Sequence, residues 1–232
     1  MNGALHDLVL WAPDLWTGTK ITVSLTFASM AVALVIGLVL ALARLSSRRL
    51  LLALPATAFV EVIRGSPLLL QLFYIFYVFP FFGLRLGKFE AGILGLAINY
   101  GAYLSEVFRA GIEAVDRGQW EAAGALGLSR PLTLRLVILP QAVRIVIPPI
   151  GNYFISLFKD TALVSTISIP ELIFTGQLIA ADTFKYLQVY SFIFVIYLII
   201  SYPASRGVAW LERRLRPAGH PAGAAAPGAH AP

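Results

Sequence analysis

The stretch ITVSLTFASMAVALVIGLVLALA, residues 21–43, decides the fold class of this chain. It lies between Lys20 and Arg44 and contains no charged side chain. At about 1.5 Å per residue, a helix of this length crosses the roughly 30 Å hydrocarbon core of a bilayer. The residues before it, MNGALHDLVLWAPDLW, lack the basic start of a secretory signal. We therefore expect residues 21–43 to be a membrane span that the protein retains.

The composition of the 232-residue chain agrees with a membrane protein. Hydrophobic residues make up 58% and charged residues only 13%, whereas a soluble domain carries roughly 25% charged residues. With a mean hydropathy of +0.79, a disordered protein and an ordinary soluble enzyme are excluded. The net charge of +6 comes from basic side chains scattered among apolar runs, so we expect no nucleic-acid partner.

Cysteine and histidine usage limits the available chemistry. The chain has no cysteine, which excludes disulfides and thiolate metal sites. Its histidines, His6, His220 and His230, lie near the termini and outside the apolar segments. No histidine is therefore available in a membrane span as a base, a proton relay or a metal ligand. We expect no metal site and no cofactor.

Further apolar regions predict an all-α fold. Each is long enough to cross a bilayer as a helix, and they occupy residues 50–80, 89–111, 136–158 and 186–205. We expect a polytopic membrane protein with about five transmembrane helices in one domain, residues 1–216. The Ala/Pro/Gly-rich tail, residues 217–232, is expected to be disordered.

Proline and glycine predict breaks in the second half of the chain. Pro148 and Pro149 should interrupt the span at 136–158, because proline lacks the backbone N–H of a helix interior. Pro170 and Gly176 should keep residues 161–181 irregular.

Basic residues orient the chain across the membrane. Ten Lys and Arg residues flank one set of span ends and four flank the opposite set. Because positive charge concentrates on the cytoplasmic side, we expect the N-terminus outside and the C-terminus in the cytoplasm. Residues 112–135, which are too charged to lie in lipid, are then a cytoplasmic loop.

A short helix is predicted within this loop. Residues 121–128, EAAGALGL, are rich in alanine and glycine, so another backbone can approach them closely. Ser129 precedes Arg130-Pro131 and is suited to cap a following helix, since proline is tolerated in a first turn. From composition alone, this segment could equally be an interfacial helix that packs on its own protein.

The spacing around this helix resembles the permease subunits of ATP-binding-cassette (ABC) importers. Their cytoplasmic signature is Glu-Ala-Ala, three residues, Gly, nine residues, then Ile-x-Leu-Pro. The present chain has Glu121-Ala122-Ala123, Gly127 and Val137-Ile138-Leu139-Pro140 at these spacings, with Val137 in place of isoleucine. The resemblance implies a type I importer permease fold in which this segment is the coupling helix that docks on a separate ATPase. The implied coupling residues are Gln119, Trp120, Glu121, Ala122, Ala123, Gly127, Leu128 and Pro140.

The resemblance covers residues 17–212 and is greatest to permeases for polar amino acids. The matching motifs include EVIRGSPLLLQ from Glu61, AYLSEVFR from Ala102 and KDTAL from Lys159. That branch often has serine where this chain has Ala162. The resemblance implies a bacterial inner-membrane location and four kinds of partner. These are a pair of ATPase subunits, a second permease (identical or a sister chain), an extracytoplasmic substrate-binding protein and an amino acid substrate.

Charged and polar residues inside the apolar regions are candidates for a substrate path, because an ionisable group at membrane depth needs a partner or a cavity. Glu61 counts to about 15 Å along a helix from Leu51, near the midplane, and could alternatively pair with Arg64 three residues on. Gly65-Ser66-Pro67 should open the helix and expose backbone carbonyls. The candidates are Glu61, Ser66, Gln71, Asn152 and Asp160.

Each candidate also has a structural interpretation. Asp160 could cap the segment after it by accepting backbone N–H groups. Gln71 and Asn152 could bond across helices. Glu106 and Arg109, another pair three residues apart, are expected to brace the cytoplasmic end of their helix.

The sequence has no Gly-x-x-x-x-Gly-Lys-Ser/Thr phosphate loop, so we expect no ATPase activity in this chain and hydrolysis by a partner. Two alternatives to an importer permease stay open. One is a membrane scaffold whose helix only docks a partner, and the other is an ion-coupled secondary transporter, although no internal inverted repeat is visible. Glu61 and Asp160 favour a basic amino acid, with glutamine and glutamate also open.

Overall fold

A computed structural model describes residues 2–46 and 48–215, so the predicted disordered tail lies outside the described residues. The regular secondary structure within these ranges is entirely helical. The α-helices are α1 (Asn2–Arg44), α2 (Leu54–Arg64), α3 (Leu68–Phe73), α4 (Lys88–Glu113), α5 (Arg117–Ala125), α6 (Arg130–Thr133), α7 (Leu139–Asp160), α8 (Leu172–Thr183) and α9 (Tyr186–Leu215). Short π-helical and 3-10 turns join several of them. The all-α prediction is confirmed.

Several of these helices can cross a membrane. Among the described residues, three helical runs are long and apolar enough, at His6–Arg44, Arg130–Ile167 and Tyr186–Leu215. A fourth crossing is possible if Arg49–Arg64 and Leu68–Phe82, which meet at 106°, form one broken span. Helix α4 corresponds to the remaining predicted crossing. Its 26 residues reach about 39 Å, long enough to cross the hydrocarbon core.

Helix α4 lies at the centre of the bundle and packs along α1. Gly37 of α1 permits this approach, because a Cβ there would lie 2.9 Å from the Cβ of Leu104 and 3.0 Å from the carbonyl oxygen of Gly101. The buried cluster around the crossing contains Met30, Ala33, Ala97, Tyr100, Leu104 and Leu157. Small residues therefore set the distance between the two helices, as in other membrane bundles.

The predicted proline breaks are wrong in part. Helix α7 continues through Pro148 and Pro149, and the helical run extends from Arg130 to Ile167. Packing against α4 and α9 supports α7 on either side, which is how membrane helices tolerate an internal proline. Gly176 also lies inside a regular helix, α8, packed against Ile193. Within residues 161–181, irregular backbone is confined to residues 168–171, between the 3-10 helix Thr161–Ile167 and α8.

The first and last helices are joined at one end of the bundle. Helix α1 begins well before residue 21, and Asp7 near its start lies 2.7 Å from the Nζ atom of Lys185. Lys185 also lies over the ring of Trp11, 5.7 Å from its centroid. Trp11 packs in the buried cluster that joins α1 to α8 and α9. Asp7 and Trp11 are thus part of the bundle.

Candidate functional site

The break between α2 and α3 is closed by a side chain. The Nε2 atom of Gln71 donates to the carbonyl oxygen of Ile63 at 2.7 Å and lies 3.1 Å from that of Ser66. Its amide oxygen accepts from Asn99 of α4 at 3.1 Å. The helix opens at Gly65-Ser66-Pro67 as predicted, but these two carbonyls are satisfied by a buried amide. The structural interpretation of Gln71, a bond across helices, is confirmed.

Glu61 lies on the outside of this break. Its side chain is 63% exposed in the single chain, and its nearest approach to Arg64 is 4.0 Å. Arg64 lies closer to Glu106, at 3.3 Å, and over the ring of Tyr103 at 5.3 Å. The chain turns by 106° after Arg64, beyond Glu61, so the count from Leu51 runs along one helical limb and the midplane position of Glu61 stays a prediction.

Glu106 joins three helices. One carboxylate oxygen lies 2.8 Å from Arg44, at the end of α1, and 3.3 Å from Arg64, at the end of α2. The other accepts from Nη2 of Arg109 at 2.8 Å, which confirms the predicted pair, and Arg109 also contacts Glu113. Arg44 is nearly buried, with 9% of its side chain exposed. We call Arg44, Arg64, Glu106, Arg109 and Glu113 the charge cluster.

Asp160, the last residue of α7, binds a tyrosine and does not cap the turn that follows it. Its Oδ2 atom accepts from the hydroxyl of Tyr100 at 2.6 Å, and its side chain makes no capping hydrogen bond to the 3-10 turn that follows. The ring of Tyr100 packs on the ring of Tyr153, with 6.2 Å between the ring centroids. The centroids of Tyr153 and Tyr103 are 5.8 Å apart. The tyrosines form a continuous row between Asp160 and the charge cluster, since Arg64 lies on the Tyr103 ring.

The polar side of α7 extends the same region. Asn152, Ser156 and Lys159 recur at helical spacing next to Tyr153 and Asp160, and both Asn152 and Lys159 are exposed. Such residues are rare on a lipid-facing helix surface and usually face a cavity or another helix. The candidate path residues Asn152 and Asp160 thus share one side of α7. Gln71 is linked to the adjoining helix α4 through Asn99, and Ser66 hydrogen-bonds to Gln71.

One buried carboxylate was missed by the sequence analysis. Glu171 is fully buried at the start of α8 and accepts from the backbone N–H of Phe174 at 2.8 Å. Hydroxyl groups of Thr22 and Tyr197 lie 3.3 and 3.4 Å from its other oxygen. Two of its three partners come from α1 and α9, so no local sequence pattern identifies it.

Helix α5 is defined by a cap at each end. Asp116 accepts from the N–H of Gly118 at 2.6 Å, so the helix starts at Arg117, four residues before the predicted start. At the other end Gly127 has φ +74°, and the N–H of Leu128 bonds to the carbonyl of Ala123 at 3.1 Å. This is a Schellman motif, which favours glycine at the left-handed position.

One side of α5 is anchored and the other is exposed. Ala123 is buried, and Trp120 packs on the cluster of Val115, Ile138 and Ala142 at the start of α7. Gln119 accepts a hydrogen bond from Gln141 at 3.1 Å. The remaining predicted coupling residues are exposed or half-exposed: Glu121, Ala122, Gly127, Leu128 and Pro140. Ser129 precedes α6 as predicted, but its side chain makes no cap bond.

Together, these features define a polytopic helical membrane protein with a polar region between its helices and a short exposed helix beyond α4. The chain belongs to the family described as binding-protein-dependent transport system inner membrane component, which matches residues 11–217. It is thus a multi-pass membrane permease subunit of a transport system that works with a binding protein.

Known proteins similar to this chain support the same assignment. The L-cystine transport system permease of Bacillus subtilis is 43% identical over 88% of this chain and 87% of its own length. The glutamine transport system permease of Escherichia coli K12 is 40% identical over 88% of this chain and 94% of its own. The crystal structure of an amino acid ABC transporter with histidines superposes with a TM-score of 0.85 at 38% identity, covering 90% and 97% of the two chains.

Proposed function

We propose that this chain forms the translocation path of an ATP-driven importer for polar amino acids and couples that path to a separate ATPase. The observation that carries the proposal is the geometry of α5. It is a capped helix, anchored through Ala123 and Trp120, that presents small residues outward where a partner can dock. The relatives named above are permeases for amino acids, which supports the substrate class.

The path is proposed to run along the polar side of α7 and the break after α2. Asp160, Asn152, Gln71, Ser66 and Glu61 are its candidate residues. Ionisable groups such as Glu61 and Lys159 are exposed in the single chain, and lipid is an unfavourable environment for them. They are accommodated if they face water or a second permease subunit, whether a copy of this chain or a sister chain.

The partners and orientation follow from this proposal. Two ATPase subunits bind the α5 segments of two permeases, and ATP-driven closure moves α5 together with the spans. An extracytoplasmic binding protein delivers the substrate. The N-terminus lies on the same side as the binding protein, and the C-terminus lies in the cytoplasm. The excess of basic residues on the α5 side supports this orientation.

The test is uptake in proteoliposomes that contain the permease with its cognate ATPase and binding protein, scanned over the twenty amino acids. We expect uptake of one or a few polar amino acids, with ATP hydrolysis stimulated by the same substrates. Asp160→Asn should reduce uptake strongly, while Asp182→Asn, an exposed residue on α8, serves as the matched control. Hydrolysis that no amino acid stimulates would contradict the proposal and favour the scaffold alternative.

A further inference from the structure

The hydrogen bond between Tyr100 and Asp160 connects the proposed path to the central helix of the bundle. Tyr100 is 4% exposed, and its hydroxyl donates to the carboxylate at 2.6 Å. A hydrogen bond to a charged acceptor is stronger than one between neutral groups. The bond joins the last residue of α7 to the middle of α4.

Helix α4 runs without interruption from this bond towards α5. It contains no proline and extends from Lys88 to Glu113, so Tyr100 and Glu113 are about 20 Å apart along one rigid element. Glu106 lies between them and is bound to Arg44 and Arg64. Helix α5 begins four residues after α4 ends, at Arg117.

An amino acid substrate carries the group that would compete for this bond. Every free amino acid has an α-ammonium group, which is a hydrogen-bond donor with a full positive charge. A phenol is a neutral donor, so an ammonium group binds a carboxylate more strongly than tyrosine does. Occupation of Asp160 by a substrate would therefore weaken its bond to Tyr100.

We propose that Tyr100 is a positioning residue that restrains α4 while the path is empty, and that a bound ammonium group releases it by taking the carboxylate of Asp160. The inference rests on the proposed function, since it assumes that Asp160 meets the substrate. Release frees α4 to move with α5, so substrate in the path is communicated to the ATPase through one side-chain hydrogen bond.

The variant Tyr100→Phe removes only the hydroxyl group. In the reconstituted complex with the ATPase and the substrate-free binding protein, we expect faster ATP hydrolysis than in the wild type. The ratio of stimulated to basal hydrolysis should fall towards one. Loss of a charge-assisted hydrogen bond shifts a conformational equilibrium by roughly tenfold, which sets the scale of the effect. Tyr202→Phe, the same change at an exposed position of α9, should keep the wild-type ratio.

A second measurement uses the unmodified protein. Hydrogen–deuterium exchange of the complex should increase in the second half of α4 when the transported amino acid is added. Unchanged exchange there, or a wild-type hydrolysis ratio in Tyr100→Phe, would overturn the inference. Full uptake by Asp160→Asn would also overturn the inference, because Asp160 would then not meet the substrate. The proposed function fails separately, if the complex takes up no amino acid.

Discussion

The guanidinium group of Arg44 lies 2.8 Å from the carboxylate of Glu106, and this contact fastens the end of α1 to α4. Arg64 and Arg109 bind the same carboxylate, so one acidic residue holds three basic ones. Ion pairs of this kind inside a membrane protein replace the hydration that each charge has lost.

Glu106→Gln should lower the stability of the permease. The substitution leaves Arg44 nearly buried without a carboxylate partner. Breaking a buried pair costs roughly 3–5 kcal/mol. Since Glu106 is partly exposed, we expect the free energy of unfolding to fall by about 2 kcal/mol. Thermal unfolding of the purified complex measures it, with Glu113→Gln, at an exposed pair with Arg109, as the control. Assembly with the ATPase should fall more than substrate binding, and equal stability of the two variants would contradict this role.

Gly127→Val should weaken coupling to the ATPase through backbone strain alone. A Cβ at Gly127 meets no atom within 4 Å, but its φ of +74° disfavours every residue with a side chain, by about 1–2 kcal/mol. We expect less co-purified ATPase and slower uptake. Gly207→Ala on α9 is the control, since a Cβ there is also in open space but the backbone is helical and lies away from α5, and it should behave like the wild type. An unaffected Gly127→Val would argue against α5 as the docking element.

Gly37→Ala should destabilise the contact between α1 and α4. Alanine favours a helix over glycine by about 1 kcal/mol, but here its methyl group would meet Leu104 and the backbone of Gly101 at 2.9–3.0 Å. Overpacking of this kind costs about 1–3 kcal/mol. We expect a lower unfolding temperature. Gly207→Ala on α9, where nothing lies within 4 Å, should be neutral or stabilising, and the same response at both sites would show that α1 and α4 can separate freely.

Gln71→Leu should destabilise the break between α2 and α3. The leucine cannot donate to the carbonyls of Ile63 and Ser66, and a buried unsatisfied group costs about 1–3 kcal/mol. The unfolding temperature in detergent should fall. Gln188→Leu, at an exposed position of α9, provides the control. An unchanged transition in Gln71→Leu would mean that water can replace the amide.

The sequence predicted the features that depend on local composition. Apolar runs identified the helical regions, and the alanine-rich residues 121–128 predicted a short helix that overlaps α5. Polar residues in apolar segments singled out Asp160 and Gln71. These signals are local, because hydropathy and backbone preference are properties of a few neighbouring residues.

Contacts between distant segments could not be predicted in the same way. Glu106 was expected to bind Arg109, but its bonds to Arg44 and Arg64 depend on how α1 and α2 meet α4. Capping of the following turn was the structural alternative for Asp160, yet Tyr100 reaches its carboxylate from another helix. The breaks expected at Pro148 and Pro149 do not occur, because packing around α7 supports the helix there. Such packing cannot be read from neighbouring residues in the sequence.

The amide of Gln71 has a consequence for how the path can work. Irregular backbone at membrane depth usually needs water to satisfy its carbonyls, and it would deform whenever that water left. Here the chain supplies its own substitute for the solvent. The break between α2 and α3 can therefore keep one conformation whether its surroundings are hydrated or dehydrated. A pore that loses its water between transport cycles need not refold this segment.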